Sequence, residues 1–384
     1  MGTDPGTDRE GRRPTAPLGL PRSAAELDPR VDPDVLAAVA RIAPGTQLRQ
    51  GIDDIIRSRE GALIVIGEPS ELSFMFSGGI RLDQPFTPQL LYELAKMDGA
   101  IIVNSPVAKI THANVQLMPD PTIPSNETGT RHRTAERVAK QTKALVISIS
   151  QQRETVTVFV GSSRYQLDPI ADGLAKANQA LATLETYRAR LDQVLTRLTA
   201  LEFQNAVMLD DVLVVLQRAE LTTRMADYIE RACAELGAEG RLIRMQLEEH
   251  VSEVPAEKAA VVYDYHSDGG TERVAEGLEA LAQLPYQQLL EFELLAVLGY
   301  PATTNPLDYS VTPRGYRVLT HIPRLPENII QRLVSALGGL EAIVRASQRD
   351  LEAVDGVGTV RAREIREGLR RLQEHNLVDR YLQL

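Results

Sequence analysis

The sequence predicts a multi-domain chain: an α/β mixed-sheet head, an all-α helical spine and an all-α tail built of two helical hairpins. Three observations carry this. Short apolar runs alternate with helix-period segments from about Pro33 to Leu167. From Pro169 the pattern turns helical, with Leu174, Ala177, Leu181, Leu184, Leu191, Leu195 and Leu198 recurring at three- and four-residue steps. A stretch with three prolines, Gly299 to Pro313, then interrupts the chain before the two hairpins. At 384 residues the chain is too long for one ordinary core and suits roughly two or three domains.

The elements follow in order. Residues 1–31 are rich in Gly, Pro, Thr, Asp and Arg, lack periodicity, and are expected to form a disordered extension without the apolar run of a secretory signal. The head is expected over 32–168, opening with one helix from Leu36 to Arg57. Its strands are expected at Ala62 to Ile66, Ala100 to Val103, Lys109 to Leu117, Ala144 to Ile149 and Thr155 to Val160. Some connections are hairpin-short, so the sheet should be mixed in direction. Neither a dinucleotide fingerprint nor a Walker loop occurs, and Gly78-Gly79 reads as an isolated turn. The spine is expected over 169–312, with further helices at Leu209 to Leu236, Glu239 to Val251 and Glu272 to Leu284; Ala256 to Tyr265 is less easily assigned. The tail is expected over 313–384. There Ile322-Pro323-Arg324-Leu325-Pro326 leads into a helix from Glu327 to Ala336. Asp355-Gly356-Val357-Gly358 leads into another, from Val360 to Leu372.

Composition narrows the class. Trp is absent and aromatics make up 4%, so the cores must be built from Leu, Val, Ile and Ala. No apolar run approaches the ~18 residues of a membrane span. The single cysteine, Cys233, excludes an internal disulfide, fits a reducing compartment and reads as a small buried helix residue. A net charge of −10 is unevenly placed: Val311 to Leu384 holds 12 arginines, no lysine and 9 acidic residues, a net +3, leaving −13 on the rest. An arginine-only tail on an acidic body points to a localised polyanion-binding module.

The chemistry concentrates in two motifs. Asp98-Gly99-Ala100 opens the apolar strand Ala100 to Val103, and Gly129-Thr130-Arg131-His132-Arg133 lies in a polar segment before the helix-like run Thr134 to Lys143. A carboxylate at a strand edge, a glycine that admits a nucleotide to the backbone, and a helix entry armed with two guanidiniums and an imidazole suit a nucleotide triphosphate. In the tail, Gly356-Val357-Gly358 followed by Arg361 and Arg363 has the form of a turn whose amides meet DNA phosphate. In the earlier hairpin, Pro323 and Pro326 take the places of the glycines, which makes it a degenerate partner.

With Asn114-Val115-Gln116-Leu117 between them and Thr134-Ala135-Glu136-Arg137 after them, the two head motifs resemble those of the diadenylate cyclase domain. The helical middle and helix–hairpin–helix tail narrow the resemblance to the family of DNA integrity scanning proteins. The resemblance implies condensation of two ATP molecules into cyclic di-AMP and two pyrophosphates, assisted by Mg²⁺ or Mn²⁺. Asp98 would be the base and metal ligand, and Arg131, His132 and Arg133 would complete the catalytic set. Gly99, Leu117, Gly129, Thr130 and Ser150 would line the ATP site, and Gly356, Gly358, Arg361 and Arg363 would bind DNA. It also implies a homo-octamer with cyclase heads meeting face to face, and a cytoplasmic, nucleoid-associated protein away from any membrane. Branched or junction DNA bound at the tail would lower synthesis. The rival readings are a junction-binding protein with an inactive nucleotide-sensing head, and a different nucleotidyltransferase or nucleotide sensor.

Overall fold

The computed structural model describes residues 33–268, 271–290 and 294–382; the expected disordered extension, residues 1–31, lies outside the described residues. The head runs α1 (Pro33–Arg41), α2 (Gln47–Arg57), β1 (Ala62–Ile66), α3 (Pro69–Leu72), β2 (Phe76–Ser77), β3 (Ile80–Pro85), α4 (Pro88–Ala95), β4 (Ala100–Val103), β5 (Lys109–Leu117), α5 (Thr130–Gln141), β6 (Leu145–Ser150), β7 (Thr155–Val160) and β8 (Ser163–Gln166). The strands form one sheet in the order β2-β5-β4-β1-β6-β7-β8, with β3 also pairing β5. Among the described residues only β1 and β4 run parallel; the other pairings are antiparallel. The mixed sheet expected from the short connections is therefore what forms.

Both faces of the sheet are covered, which is why its central strands read as unbroken apolar runs rather than alternating ones. Ile64, Ile66, Ile101 and Val103 pack with α1, α2 and α4 residues such as Val39, Ile52 and Leu91. Leu63, Val65, Ala100 and Ile102 point the other way, onto Ala135, Val138 and Ala139 of α5. The single expected helix from Leu36 to Arg57 is two helices. Pro44 cannot donate and Gly45 adopts φ +97°, so the chain breaks there, and Thr46 restarts it by accepting from the Arg49 amide at 3.1 Å. Gly78-Gly79 is likewise more than an isolated turn. At φ +69° and +98° it carries the chain from β2 into β3, and both strands line the same edge of β5.

The spine comprises α6 (Ile170–Gln204), α7 (Leu209–Leu236), α8 (Arg241–Val251), α9 (Val254–Tyr265), α10 (Thr271–Gln283) and α11 (Tyr286–Leu290). The heptad-like stripe is the buried seam between α6 and α7: Ala177, Leu181, Leu184, Leu191 and Leu198 share one core with Val212, Leu216, Ile229 and the buried Cys233. The stretch from Ala256 to Tyr265, ambiguous in sequence, belongs to α9.

The tail comprises α12 (Tyr316–Thr320), α13 (Glu327–Leu337), α14 (Leu340–Arg345), α15 (Gln348–Glu352) and α16 (Thr359–Leu382), packed around Leu319, Ile322, Leu333, Leu351 and Ile365. Among the described residues no helix is long and apolar enough to cross a membrane.

The joint between spine and tail is polar and closed. Buried Arg317 on α12 pairs with Glu202 on α6 and donates to Thr199 Oγ1 at 2.6 Å. Buried Asp264 on α9 caps α12, accepting from the amides of Tyr316 at 2.7 Å and Arg317 at 3.0 Å. The Arg314 guanidinium donates to the carbonyls of Tyr263 and Asp264 in the last turn of α9 and of His266, which follows it.

Candidate active site at one edge of the sheet

Strand register brings the head motifs together. Ile64 pairs Ile101 in parallel, Ala62 pairs Ile149, and Ala100 pairs Val115. The starts of β1 and β4 therefore share one sheet edge with the ends of β5 and β6. Asp98 and Gly99, just before β4, Leu117 at the end of β5, and Ser150 at the end of β6 all lie on that edge.

The Gly129 to Arg133 segment joins them in a different form from the one expected. It is not a loop before a helix starting at Thr134; α5 begins at Thr130, with Gly129 as its N-cap. Three basic residues in the first turn hide this start from a periodicity reading. A glycine cap offers no side-chain acceptor and the first turn holds no acid, so the amides of Thr130, Arg131 and His132 are left toward the N-terminal end of the helix. That is the arrangement that receives phosphate.

Gly99 has a structural reason to lack a side chain. A Cβ there would run into the backbone of Asn114 and Val115. Asn114 sits at φ +53° in a β-bulge of β5, and its Oδ1 accepts from the Gly99 amide at 3.1 Å. The glycine thus lets β5 close over the Asp98 turn. The Asp98 carboxylate is exposed, and among the described residues no hydrogen bond or ion pair engages it.

The approach to α5 is held by the helix itself. Glu136 accepts from Ser125 Oγ, the Asn126 amide and Lys140 Nζ; Lys140 also donates to the Pro124 carbonyl at 2.9 Å. Arg137 donates to the Ile123 carbonyl at 2.9 Å, and Gln141 accepts from the Asp120 amide at 2.9 Å. Burial opposes ionisation of Glu136, but hydrogen bonds from Lys140 and Ser125 outweigh it and hold its pKa below the usual value. These residues fasten the loop that ends at Gly129. An i,i+4 acid–base pair, Glu136 to Lys140, is the sequence signal that could have found them.

Positive charge gathers around His132. Its half-buried ring meets Phe159 edge-on at 6.5 Å. Desolvation draws the imidazole below its ordinary pKa; Glu127 opposes, while Arg164, Arg131 and Arg153 push the same way. Burial therefore favours the neutral form of the ring. Arg153 and Arg164, from the β6–β7 turn and β8, were not among the sequence candidates. Arg164 pairs with Glu127 at 2.5 Å. Arg133 donates to the Thr128 carbonyl at 3.1 Å.

In the tail, the turns of the two hairpins correspond in hydrogen bonding and backbone conformation, with one correction to the sequence reading. The Leu325 amide donates to Ile322 and the Val357 amide to Val354, and the left-handed residues between are Arg324 (φ +63°) and Gly356 (φ +84°). Arg324, not Pro323, takes the place of the first glycine; Pro326 takes that of Gly358. Gly356 is required by its φ and by Ile329 Cδ1, 2.7 Å from where a Cβ would be, whereas Gly358 faces open space. Arg361 folds back on the Gly356 carbonyl, while Arg363 is exposed.

Residues 49–164 match the family model described as "DisA bacterial checkpoint controller nucleotide-binding", and residues 167–307 match "DisA bacterial checkpoint controller linker region". The chain is similar to DNA integrity scanning protein DisA of Carboxydothermus hydrogenoformans, 50% identical over 345 residues, covering 89% of this chain and 98% of that one. The protein of the same name from Acetivibrio thermocellus is 46% identical over 354 residues, covering 92% and 98%. That of Bacillus pumilus is 46% identical over 355 residues, covering 91% and 97%. A sheet edge that collects Asp98, the α5 entry and Ser150, carried on a chain alike over nearly its whole length, settles the affiliation: the chain belongs to the DisA family of DNA integrity scanning proteins and is a diadenylate cyclase.

Proposed function

We propose that the chain condenses two ATP molecules into cyclic di-AMP, each 3′-oxygen attacking the α-phosphate of the other nucleotide. The observation that carries this is the convergence of a free carboxylate, Asp98, and an uncapped, basic helix entry on one sheet edge. In each step a 3′-O–P bond forms, the bond from the α-phosphate to pyrophosphate breaks in line, and Asp98 takes the hydroxyl proton. The α5 amides, Arg131 and Arg133 neutralise the charge that builds on the phosphates and the departing pyrophosphate. Gly99 and Leu117 line the nucleotide pocket, Gly129, Thr130 and His132 contact the triphosphate, and Ser150 donates to phosphate.

Among the described residues no group of three or more His, Cys, Asp or Glu is arranged to hold a metal. A lone exposed carboxylate nonetheless fits a cation that arrives with the triphosphate, as Mg²⁺ or Mn²⁺ does, with Asp98 as the protein ligand. When bound, the ion supplies charge neutralisation at the phosphates and acidifies the 3′-hydroxyl.

A single set of motifs per chain and a two-fold symmetric product require two heads facing each other. Exposed Met97 and Met118 flank Asp98 and Leu117, and exposed Phe74 and Ile80 stand beside β2 and on β3; an apolar rim of this kind suits a partner head. The family resemblance supports an octamer. Sedimentation combined with mass spectrometry of the product tests the pairing: a verified monomer binds ATP and makes no cyclic di-AMP, and a monomer at full rate would refute the two-site scheme.

The tail's second hairpin is the proposed DNA contact. In its support, Gly358 opens to solvent, the first turn of α16 carries no acid, and Arg363 is exposed. Replacing Gly358 with Val and Arg363 with Ala spares the turn, unlike changes at Gly356 and Arg361, which hold it together. The double variant should weaken four-way-junction binding across sequences and lower the salt slope by about one unit per lost phosphate contact. Basal synthesis should persist, and inhibition by branched DNA should fade. An unchanged salt series would place the DNA contact elsewhere. A cytoplasmic, nucleoid-associated location follows from this reading.

A further inference from the structure

Gly61, the residue before β1, is buried, and its φ is not in the left-handed region, so its backbone asks for no glycine. Space does. A Cβ at Gly61 would overlap Nη1 of Arg131, stand 3.1 Å from its Cζ, and come within 3.2 Å of the Ile149 carbonyl. The guanidinium of Arg131 therefore lies directly over Gly61, across the end of the sheet. Continuing the strand register by one to three residues places Gly61 level with Ser150 on β6 and with Asp98 ahead of β4. By this register, the guanidinium lies over the strand flanked on one side by the strand of Ser150 and on the other by the strand that follows Asp98. Arg133, by contrast, is exposed and tethered to the Thr128 carbonyl.

We infer that Gly61 is a positioning residue for the cyclase reaction: its missing side chain forms the seat that fixes the Arg131 guanidinium between Asp98 and Ser150. This rests on the proposed role of Arg131. The seat divides the two arginines of the motif, with Arg131 held inward at the reacting phosphate and Arg133 outward toward the leaving pyrophosphate. A guanidinium fixed before substrate arrives loses no rotamer freedom in the transition state, and a displacement of about 1 Å costs on the order of 10²-fold in rate.

Gly61→Ala tests this because the atom it overlaps is the far end of a flexible side chain. The Ile149 carbonyl at 3.2 Å need give only a few tenths of an ångström, a cost that persists in any Arg131 variant. In the full-length protein, the thermal midpoint should fall by no more than about 3 °C, while kcat falls about 10- to 100-fold with KM for ATP moving less than about threefold. In an Arg131→Lys background, which has no Nη atoms to displace, the same substitution should cost less than about twofold. A second readout is independent of turnover. Labelling of Arg131 by an arginine-selective dicarbonyl, followed by peptide mass spectrometry, should quicken several-fold in Gly61→Ala as the guanidinium leaves its seat. Equal losses in the two backgrounds, or unchanged labelling, would overturn the inference. Faster labelling with wild-type turnover would keep the seat but remove Arg131 from the chemistry, a failure of the proposed function rather than of the geometry.

Discussion

Asp98→Asn abolishes cyclic di-AMP synthesis, with kcat down at least about 10³-fold, while the fold and most ATP binding persist. The size follows from the role: a positioned base contributes typically 10²–10⁴-fold, and here the same carboxylate is also the metal ligand. Stability should not change, because the side chain is exposed and engages no partner among the described residues, and surface changes of that kind lie within about 0.5 kcal/mol. Asparagine keeps the shape and loses both basicity and charge. Product mass spectrometry from ATP, alongside calorimetry of nucleotide binding, separates the two effects. Turnover near that of the wild type would remove Asp98 from the mechanism, and an unfolded variant would show the turn to be structural.

Much of this site was legible before any coordinates, for identifiable reasons. β1 and β4 are apolar because both their faces are buried, β5 alternates between buried and exposed positions, and the bounds of all three and of β7 were read directly; β6 was read to within a residue. β2 and β3 were not, because short strands at the edge of β5 with exposed residues carry no alternation to read. The start of α5 was placed four residues late, since Arg131-His132-Arg133 look like loop and Gly129 lacks the usual capping side chain. The Asp98 and Arg131 motifs stand out by residue type alone. Gly61 could not, since what makes it necessary is an arginine seventy positions away. The break at Pro44-Gly45 was passed over because the apolar period on either side, Val39 and Leu48, continues through it.

The buried joint between spine and tail sets the second large effect. Arg317→Ala should destabilise the docking of the tail by about 3–5 kcal/mol, because it strands Glu202 as an unpaired charge in a closed site. The loss should concentrate in the tail, read as a separate early unfolding transition and as faster proteolysis between Gly299 and Pro313. An exposed pair, Arg370 with Glu374, is the control and should show no such change when Arg370 is replaced by Ala. The joint also gives docking a definite pH dependence. Burial, reinforced by Glu202, pushes Asp264 up from 3.8 to about 7, opposed by the Tyr316 and Arg317 amides. His321, bonded to Glu257 at 2.7 Å, is raised above its ordinary 6.5. Both groups bind protons more tightly in the folded state. Their contribution is therefore fully present at low pH and is lost as pH rises, through about 7 for Asp264 and above 6.5 for His321. Glu257 works oppositely: burial opposes its ionisation, but His321 and Arg317 hold its pKa below 4.5, so its contribution is lost only in acid. Docking should thus be firmest near pH 4–5 and weaken up to about pH 7, His321 extending the loss above 6.5, and Asp264→Asn should flatten the decline between about pH 4 and 7. A tail transition that rises in temperature between pH 5 and 7, or an Arg317→Ala variant that unfolds like the wild type, would mean that the tail is held by its apolar contacts and not by this charge network.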